Sequence, residues 1–479
     1  MKMLIGGNSV DAANGACFDV INPATHQVID KVPSATNEDV NNAIENAVLG
    51  FKEWSARPLF DRINIIYKFA DIFEERLEEL AQLACKESGK AITLCRAEAG
   101  AAMNVFRCYA EKARNFGGEV LAVDTELRTQ DDLIMVIREP LGVIGCIVPF
   151  NYPVELYAHK VAPALVMGNS VIIKPSSDTP LADILMTQWL LEAGVPGNAA
   201  QIITGSGAIV GKCLVESPKV AVITFTGSTE VGIETMTGCS KNLHHCHLEL
   251  GGNCPLIIFD DCDLDLAVQE TISGRSGNAG QTCCANKRMI VQNSIKAKYI
   301  EKLLEGLKKI KVGDPTKDDT TYGSMINEKA ALQVIEQINH TVSQGAKCVY
   351  GGKLFDRTFI EPALLTDVTP EMDIAQSLEV FGPVFPVIGF DTLEEAVKIA
   401  NNTIFGLSGA VMTGDMKKAF KVAKSLQCGT VVVNGSGNYR SMHQHFGGHK
   451  MSGLGSEGIT YTLEEFTQKK TIALKKIFE

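Results

Sequence analysis

No apolar run in this 479-residue chain reaches the ~18 residues that a membrane-spanning helix requires, so no transmembrane segment and no membrane partner are expected. Nor is there a block of lysine and arginine. The 56 acidic residues outnumber the 45 basic ones and the formal charge is −11, which argues against nucleic acid or an anionic membrane as a partner. The opening residues "MKMLIGGNSV" carry no apolar signal core ahead of their glycines, and no low-complexity linker divides the chain. Cysteine is not scarce, but its fourteen copies are scattered rather than framed as a disulfide scaffold. Together these absences lead to an expected cytoplasmic protein with free thiols and closely packed units. With 45% hydrophobic and 21% charged residues the chain can bury large cores, and its length allows roughly three domains.

What is present is a change of texture. In the first third, "NEDVNNAIENAVLGFKEW" and "DRINIIYKFADIFEERLEELAQLACKESGK" repeat apolar residues at helical spacing, with Asn37 and Asp61 placed as N-caps. From Val136 onward, "VIGCIVPF", "SVIIKPSS", "VAVITFTGS" and "CPLIIFDD" are short apolar runs ending near Gly, Pro or Ser and separated by helical stretches. Such runs suit buried parallel strands in a βα repeat. The pattern returns from about Lys287 through "ALQVIEQINHTVSQGAKCVYGG", "TLEEAVKIANNT" and "GTVVVNGSG", material for a second α/β unit.

Four stretches carry possible chemistry. "GSGAIVG", Gly205 to Gly211, is one residue longer than the dinucleotide fingerprint GxGxxG and is weak evidence alone. "FTGSTEVG", Phe225 to Gly232, ends a strand in a Gly-Ser-Thr turn that opens a helix, leaving N–H groups and Ser228 to meet a phosphate; a plain strand-to-helix turn is the alternative. Glu249 in "LELGGN" stands at a strand end before two glycines, a place for a general base or for an ordinary solvated loop carboxylate. "GNAGQTCCANKR" sets Cys283 beside Cys284, either a nucleophile and its neighbour or two small buried hydrophobes. "HHCH", His244 to His247, has metal-binding residue types, but contiguous residues on a strand alternate faces and no partner pair follows, so no metal is expected.

In combination the odds change. "VPFNYP" (148–153), "VIIKPSS" (171–177), "FTGSTEVG" (225–232), "LELGGN" (248–253), "GNAGQTCCANKR" (277–288), "EVFGPVFP" (379–386), "ANNTIFGLSG" (400–409) and "HFGGHKMSGLGSEG" (445–458) resemble, in order, the motifs of the aldehyde dehydrogenase superfamily. The resemblance spans almost the whole chain and leans toward hydrolytic members acting on succinate semialdehyde or lactaldehyde. It implies Cys283 as the nucleophile, with Cys284 a packing residue, Asn151 as the oxyanion donor beside the Cys283 N–H, and Glu249 as the base for thioester hydrolysis. Lys160 and Glu457 match positions that carry protons away from that base, although Lys160 serves equally well in a structural ion pair. For the dinucleotide the resemblance implies Phe150, Lys174, Ser177, Gly205, Gly227, Ser228, Glu379 and Phe381. Ser177 replaces the Glu that NAD-preferring relatives often carry, so NADP is favoured over NAD, with Asp178 next door arguing the other way.

Both arginines by which succinate-semialdehyde relatives anchor a carboxylate are absent; His159 and Gly277 stand in their places. Arg440, His443 and His445 in the loop "GSGNYRSMHQHF", with His159, form an alternative seat for a small anionic or hydroxylated head group. The competing expectation is that Arg440 pairs with an acidic residue on a neighbouring element. The implied architecture is α/β in three parts: an NAD(P)-binding domain with a doubly wound parallel sheet (1–118 and 141–250), a catalytic α/β domain (251–450) and a β arm (119–140 and 460–479) supporting a homodimer or homotetramer. The implied activity is oxidation of a small aldehyde to its carboxylate, with CoA-acylating oxidation and a non-catalytic binding role as alternatives.

Overall fold

The computed structural model describes residues 1–478. Its first sheet runs in the spatial order Asn8–Val10, Met3–Ile5, Ala200–Ile202, Ser170–Lys174, Val143–Ile147, Val220–Thr226, His245–Glu249, Gly453–Leu454. The five inner strands pair in parallel, and the pairings to Met3–Ile5 and Gly453–Leu454 are antiparallel. Val143–Ile147, Ser170–Lys174 and Ala200–Ile202 build the sheet in one direction, then Val220–Thr226 and His245–Glu249 build it in the other. The order therefore reverses between Val143–Ile147 and Val220–Thr226, and a doubly wound sheet opens a crevice at the carboxyl ends of the strands at such a point. The apolar runs "VIGCI" and "SVIIK" are buried at every residue because helices cover both faces.

The second sheet runs Lys347–Tyr350, Ala363–Val368, Val384–Phe390, Arg288–Gln292, Pro255–Ile258, Ser408–Met412, Thr430–Val433, parallel except at Lys347–Tyr350. Separate apolar clusters fill the two units: Phe69, Phe106, Tyr157 and Trp189 anchor one, and Val334, Val384, Ile388 and Phe390 another.

Local details depart from the sequence expectations in ways with clear causes. The first long helix, Asn37–Ser55, is capped by Thr36 rather than Asn37: the Thr36 hydroxyl accepts the Asp39 N–H while Asp39 accepts the Thr36 N–H, a reciprocal box that Asn37 is one residue too late to make. Asp61 is likewise no cap. Leu59–Glu75 starts after Pro58, and Asp61 lies in its first turn, where a carboxylate meets the positive helix end. The stretch to Lys90 breaks at Arg76 into Leu59–Glu75 and Leu77–Ser88.

Within the expected arm segment 119–140 the chain folds back on itself over only two pairs, Glu119 with Val136 and Val120 with Met135, because the polar residues between them form turns. Leu133–Pro140 instead pairs over eight residues with Thr467–Leu474. Residue 479, the last of the expected arm, lies outside the described residues. Among the described residues no helix is long and apolar enough to cross a membrane, and all fourteen cysteines are free.

Candidate active site

At the reversal point the strand ends open on one cavity of about 1370 Å3. The first sheet supplies Pro149, Phe150 and Asn151 after one strand, Lys174, Ser176, Ser177 and Asp178 after the next, Gly227 and Ser228 after a third, and Glu249 after a fourth. The second unit faces them with Cys283, Glu379, Phe381 and Phe405, which precede its strands. The carboxyl edge of one sheet thus meets the amino edge of the other, with the candidate thiol, carboxylate and amide between them.

The thiol is held by a strained loop. Asn278, Ala279 and Gly280 follow one another with φ of 51°, 53° and 77°, conformations costly for the first two. What holds them there is a buried hydrogen-bond set: the Asn278 amide donates to the Asn151 backbone carbonyl (2.9 Å) and to the Gln281 backbone carbonyl (3.3 Å), and the Gln281 side-chain Oε1 accepts the Ile326 N–H (2.9 Å). A side chain at Gly280 would meet the Gly382 carbonyl at 2.3 Å, so only glycine permits this approach. Cys283 emerges into the cavity, whereas Cys284 turns into a small cluster with Leu407 and Phe446.

Glu249 is almost fully buried, and neither carboxylate oxygen has a hydrogen-bond partner. Burial, followed by the neighbouring Cys283, pushes its carboxyl well above the usual range. The Cys283 thiol is itself pushed up, first by Cys284 and then by burial, while Lys287 opposes the shift. Two adjacent groups that each resist a buried negative charge are suited to pass a proton between them or to take one from a bound reactant. Asn151 is positioned by the helix it precedes, Pro153–Val166, whose first N–H groups at Val154 and Glu155 are accepted by Glu98 (3.0 and 3.3 Å). Glu98 in turn pairs with buried Lys90, which stands 4.0 Å from the Tyr152 ring centroid.

The other end of the cavity fits a dinucleotide. Ser228 caps the Thr229–Cys239 helix by accepting the Val231 N–H (3.4 Å), which leaves its own O–H to donate at a positive helix end. Lys174 lines the same cavity, its side chain buried and drawn down to about 8 by burial with Asp178 opposing, and its ammonium donates to the Pro175 carbonyl (2.9 Å). Ser177 donates to the Gly205 carbonyl (3.4 Å), and Asp178 accepts from the Asn327 amide (3.2 Å). Gly205 itself does not line the cavity: it is the anchor of Ser177, and the following turn presents Gly207, Gly211 and Lys212 instead. Gly207–Gly211 forms a wide π-type turn, which brings the later glycines of the long fingerprint to the cavity wall. Phe150 and Phe381 meet edge to face at 6.0 Å on the cavity wall.

Lys160 and Glu457 lie together in a buried cluster, their charged groups 3.3 Å apart. Lys160 also donates to Thr224 (3.1 Å), whose hydroxyl meets His247 Nδ1 at 3.1 Å. Arg440 turns inward to donate to the other oxygen of Glu457 (2.9 Å) and lies 4.1 Å from the Phe446 ring centroid. Burial alone would raise Glu457, but Lys160 and Arg440 hold it below the usual carboxylate range. His159 joins the cluster as a neutral ring: burial and then Arg440 pull it down to about 3, and neither ring nitrogen has a hydrogen-bond partner. The expected four-residue seat is not assembled. His443 is exposed and His445 is tied to the Ser456 hydroxyl at 2.8 Å, because the loop folds only Arg440 inward.

Some buried residues at the site escaped the sequence reading. Arg275 donates to the Val380 and Val384 carbonyls and so holds the Glu379–Phe381 segment. Arg288 donates to the carbonyls of Asn253, Ala375, Ile399 and Ala400. Lys287 bridges the thiol loop to Glu379. The available signal was "NKRMIV", two cations entering a strand otherwise apolar, which requires that both be satisfied inside.

The chain is similar to known proteins over nearly its whole length. The profile of the aldehyde dehydrogenase family matches residues 10–472. A mitochondrial succinate-semialdehyde dehydrogenase of Arabidopsis thaliana is 37% identical over 473 residues, 98% of this chain and 88% of that one. An NADP(+) succinate-semialdehyde dehydrogenase of Escherichia coli is 34% identical over 475 residues, covering 99% and 97%. The crystal structure of a betaine aldehyde dehydrogenase of Staphylococcus aureus in complex with NAD+ superposes with a TM-score of 0.96 at 36% identity, covering 99% of this chain and 95% of that one.

Proposed function

The chain belongs to the aldehyde dehydrogenase family and is an NAD(P)-dependent oxidoreductase of small aldehydes; from that premise we propose how its own residues divide the work. The observation that carries the proposal is the convergence of Cys283, Glu249 and Asn151 on one cavity at the reversal point of the first sheet. Cys283 adds as thiolate to the aldehyde carbon, giving a thiohemiacetal whose oxyanion is met by the Asn151 amide and the Cys283 N–H. When bound, the dinucleotide accepts the hydride that this carbon loses. The resulting thioester on Cys283 is hydrolysed by water that Glu249 deprotonates, the thiolate leaves, and Lys160, held by Glu457, releases one proton outward as it takes the one Glu249 collected. An unpartnered Glu249 beside the thiol supports hydrolysis over transfer to coenzyme A.

Residues 1–118 with 141–250 form the NAD(P)-binding unit in this reading, 251–450 the catalytic unit, and 119–140 with 460–479 the arm. The arm's Thr467–Leu474 strand stands at the edge of its three-stranded sheet, largely exposed, which supports a homodimer or homotetramer. The free thiols support a reducing, cytoplasmic setting.

NADP is the preferred dinucleotide in this proposal. Ser177 offers a hydroxyl rather than a carboxylate, and Lys174 and Lys212 line the same cavity. The expected result is a lower KM for NADP than for NAD. Ser177→Glu raises the NADP value on the order of tenfold or more by repelling the 2′-phosphate. The reverse order of KM values in the parent enzyme would overturn the preference.

The substrate is an aldehyde with a small anionic head group. Two cations, Lys160 and Arg440, share one carboxylate, Glu457, which leaves surplus positive charge at this pair of ion bridges. The test is NADPH and NADH formation across neutral, hydroxylated and anionic aldehydes. Arg440→Met is expected to reduce kcat/KM for the anionic set roughly tenfold more than for the neutral set. Equal losses across the panel would leave Arg440 as a partner of Glu457 only.

A further inference from the structure

Lys287 lies four residues after the thiol and immediately before the Arg288–Gln292 strand, with its side chain 1% exposed. An ammonium has three donors and no acceptor. All three donors are used: one to the Cys283 carbonyl (2.6 Å), one to the Gly252 carbonyl (2.7 Å) and one to Glu379 Oε1 (2.7 Å). The same Glu379 oxygen also accepts the Gly252 N–H at 3.1 Å, and the ammonium lies 5.4 Å from the Phe381 ring centroid. A side chain at Gly252 would meet the Cys283 carbonyl at 2.7 Å, so the turn after Glu249 and the thiol loop touch through backbone alone. One cation therefore ties together the turn that follows the base, the backbone of the nucleophile and the carboxylate facing the dinucleotide.

We propose that Lys287 is a positioning residue that locks Cys283 and Glu379 into one unit and supplies the positive charge that favours the thiolate. The proposal rests on the role assigned above to Cys283 and on the dinucleotide contact that the resemblance implies for Glu379. Its charge acts on two acids at once, the Glu379 carboxylate at 2.7 Å and, through space, the neighbouring thiol. Removing the ammonium therefore disfavours the thiolate. Neutralising Glu379 instead leaves the ammonium's field less compensated and favours it. A mere packing stitch predicts no such opposition of sign.

The experiment is the rate of iodoacetamide addition to Cys283 at pH 8 in the full chain without dinucleotide, with the adduct located by peptide mass. Lys287→Met is expected to slow alkylation roughly tenfold, as for a thiol pKa raised by about one unit. Glu379→Gln is expected to accelerate it. In turnover, Lys287→Met lowers kcat and raises the dinucleotide KM, while Glu379→Gln acts mainly on that KM. Should Lys287→Met fail to fold, Lys287→Arg and Glu379→Gln carry the test: the arginine variant keeps the alkylation rate but loses kcat, because a planar guanidinium does not reproduce three converging ammonium bonds. An alkylation rate left unchanged by Lys287→Met or by Glu379→Gln, or moved the same way by both, overturns the proposal. Turnover by Cys283→Ala in the same assays would instead overturn the site reading on which it rests.

Discussion

Cys283→Ala is expected to lose NAD(P)H formation by a factor on the order of 10⁵ or more, whereas Cys284→Ala stays near the parent rate. The two thiols are adjacent in sequence but opposite in environment: Cys283 opens on the cavity, and Cys284 is packed with Leu407 and Phe446. Removing Cys284 leaves a small void costing roughly 1 kcal/mol of stability, with no group lost from the reaction path. Iodoacetamide should still label Cys283 in the Cys284→Ala variant. Steady-state assays with peptide mapping of the adduct decide the matter, and an inactive Cys284→Ala beside an active Cys283→Ala would reverse the assignment.

The placement of the site residues shows which positions local pattern can reach. Asn151, Lys174, Ser228 and Glu249 each follow a run of apolar residues that becomes an inner strand, and inner parallel strands end at one edge of the sheet. Local pattern is then enough to place them near one another. The run "NKRMIV" marks Lys287 as a cation to be satisfied inside, but its role was not legible because its partners Gly252 and Glu379 lie 35 and 92 residues away. Arg440 was half legible: its loop was suspected, but only the fold shows that it turns onto Glu457 while His443 faces outward. The misplaced caps have a smaller cause. Asn37 is a good cap by type, yet Thr36 with Asp39 forms a reciprocal pair that a single residue type does not reveal.

Glu249→Gln separates the two halves of the reaction. Acylation of Cys283 needs no water, so one equivalent of NAD(P)H should still form in a burst, after which steady turnover falls roughly 10²- to 10⁴-fold as the thioester waits for an activated water. Mass spectrometry of quenched protein should find the acyl group on Cys283. In the parent, the hydrolytic step needs the carboxylate form, so its rate falls as pH drops through the raised pKa of Glu249, and this acid limb is absent from the variant. Stability moves the opposite way. Between the unfolded value near ~4.3 and the raised native value, the folded chain holds a proton that the unfolded chain has released, so the parent loses stability as pH rises through that window. Gln carries no charge to desolvate. The variant is expected to melt higher than the parent at pH 8, with the gap closing below about pH 4, where the parent carboxyl is protonated in both states. An unchanged steady-state rate would remove Glu249 from the hydrolytic step. A variant that melts lower at pH 8 would mean that Glu249 is stabilised in its charged form by partners beyond the bare pocket of this structure.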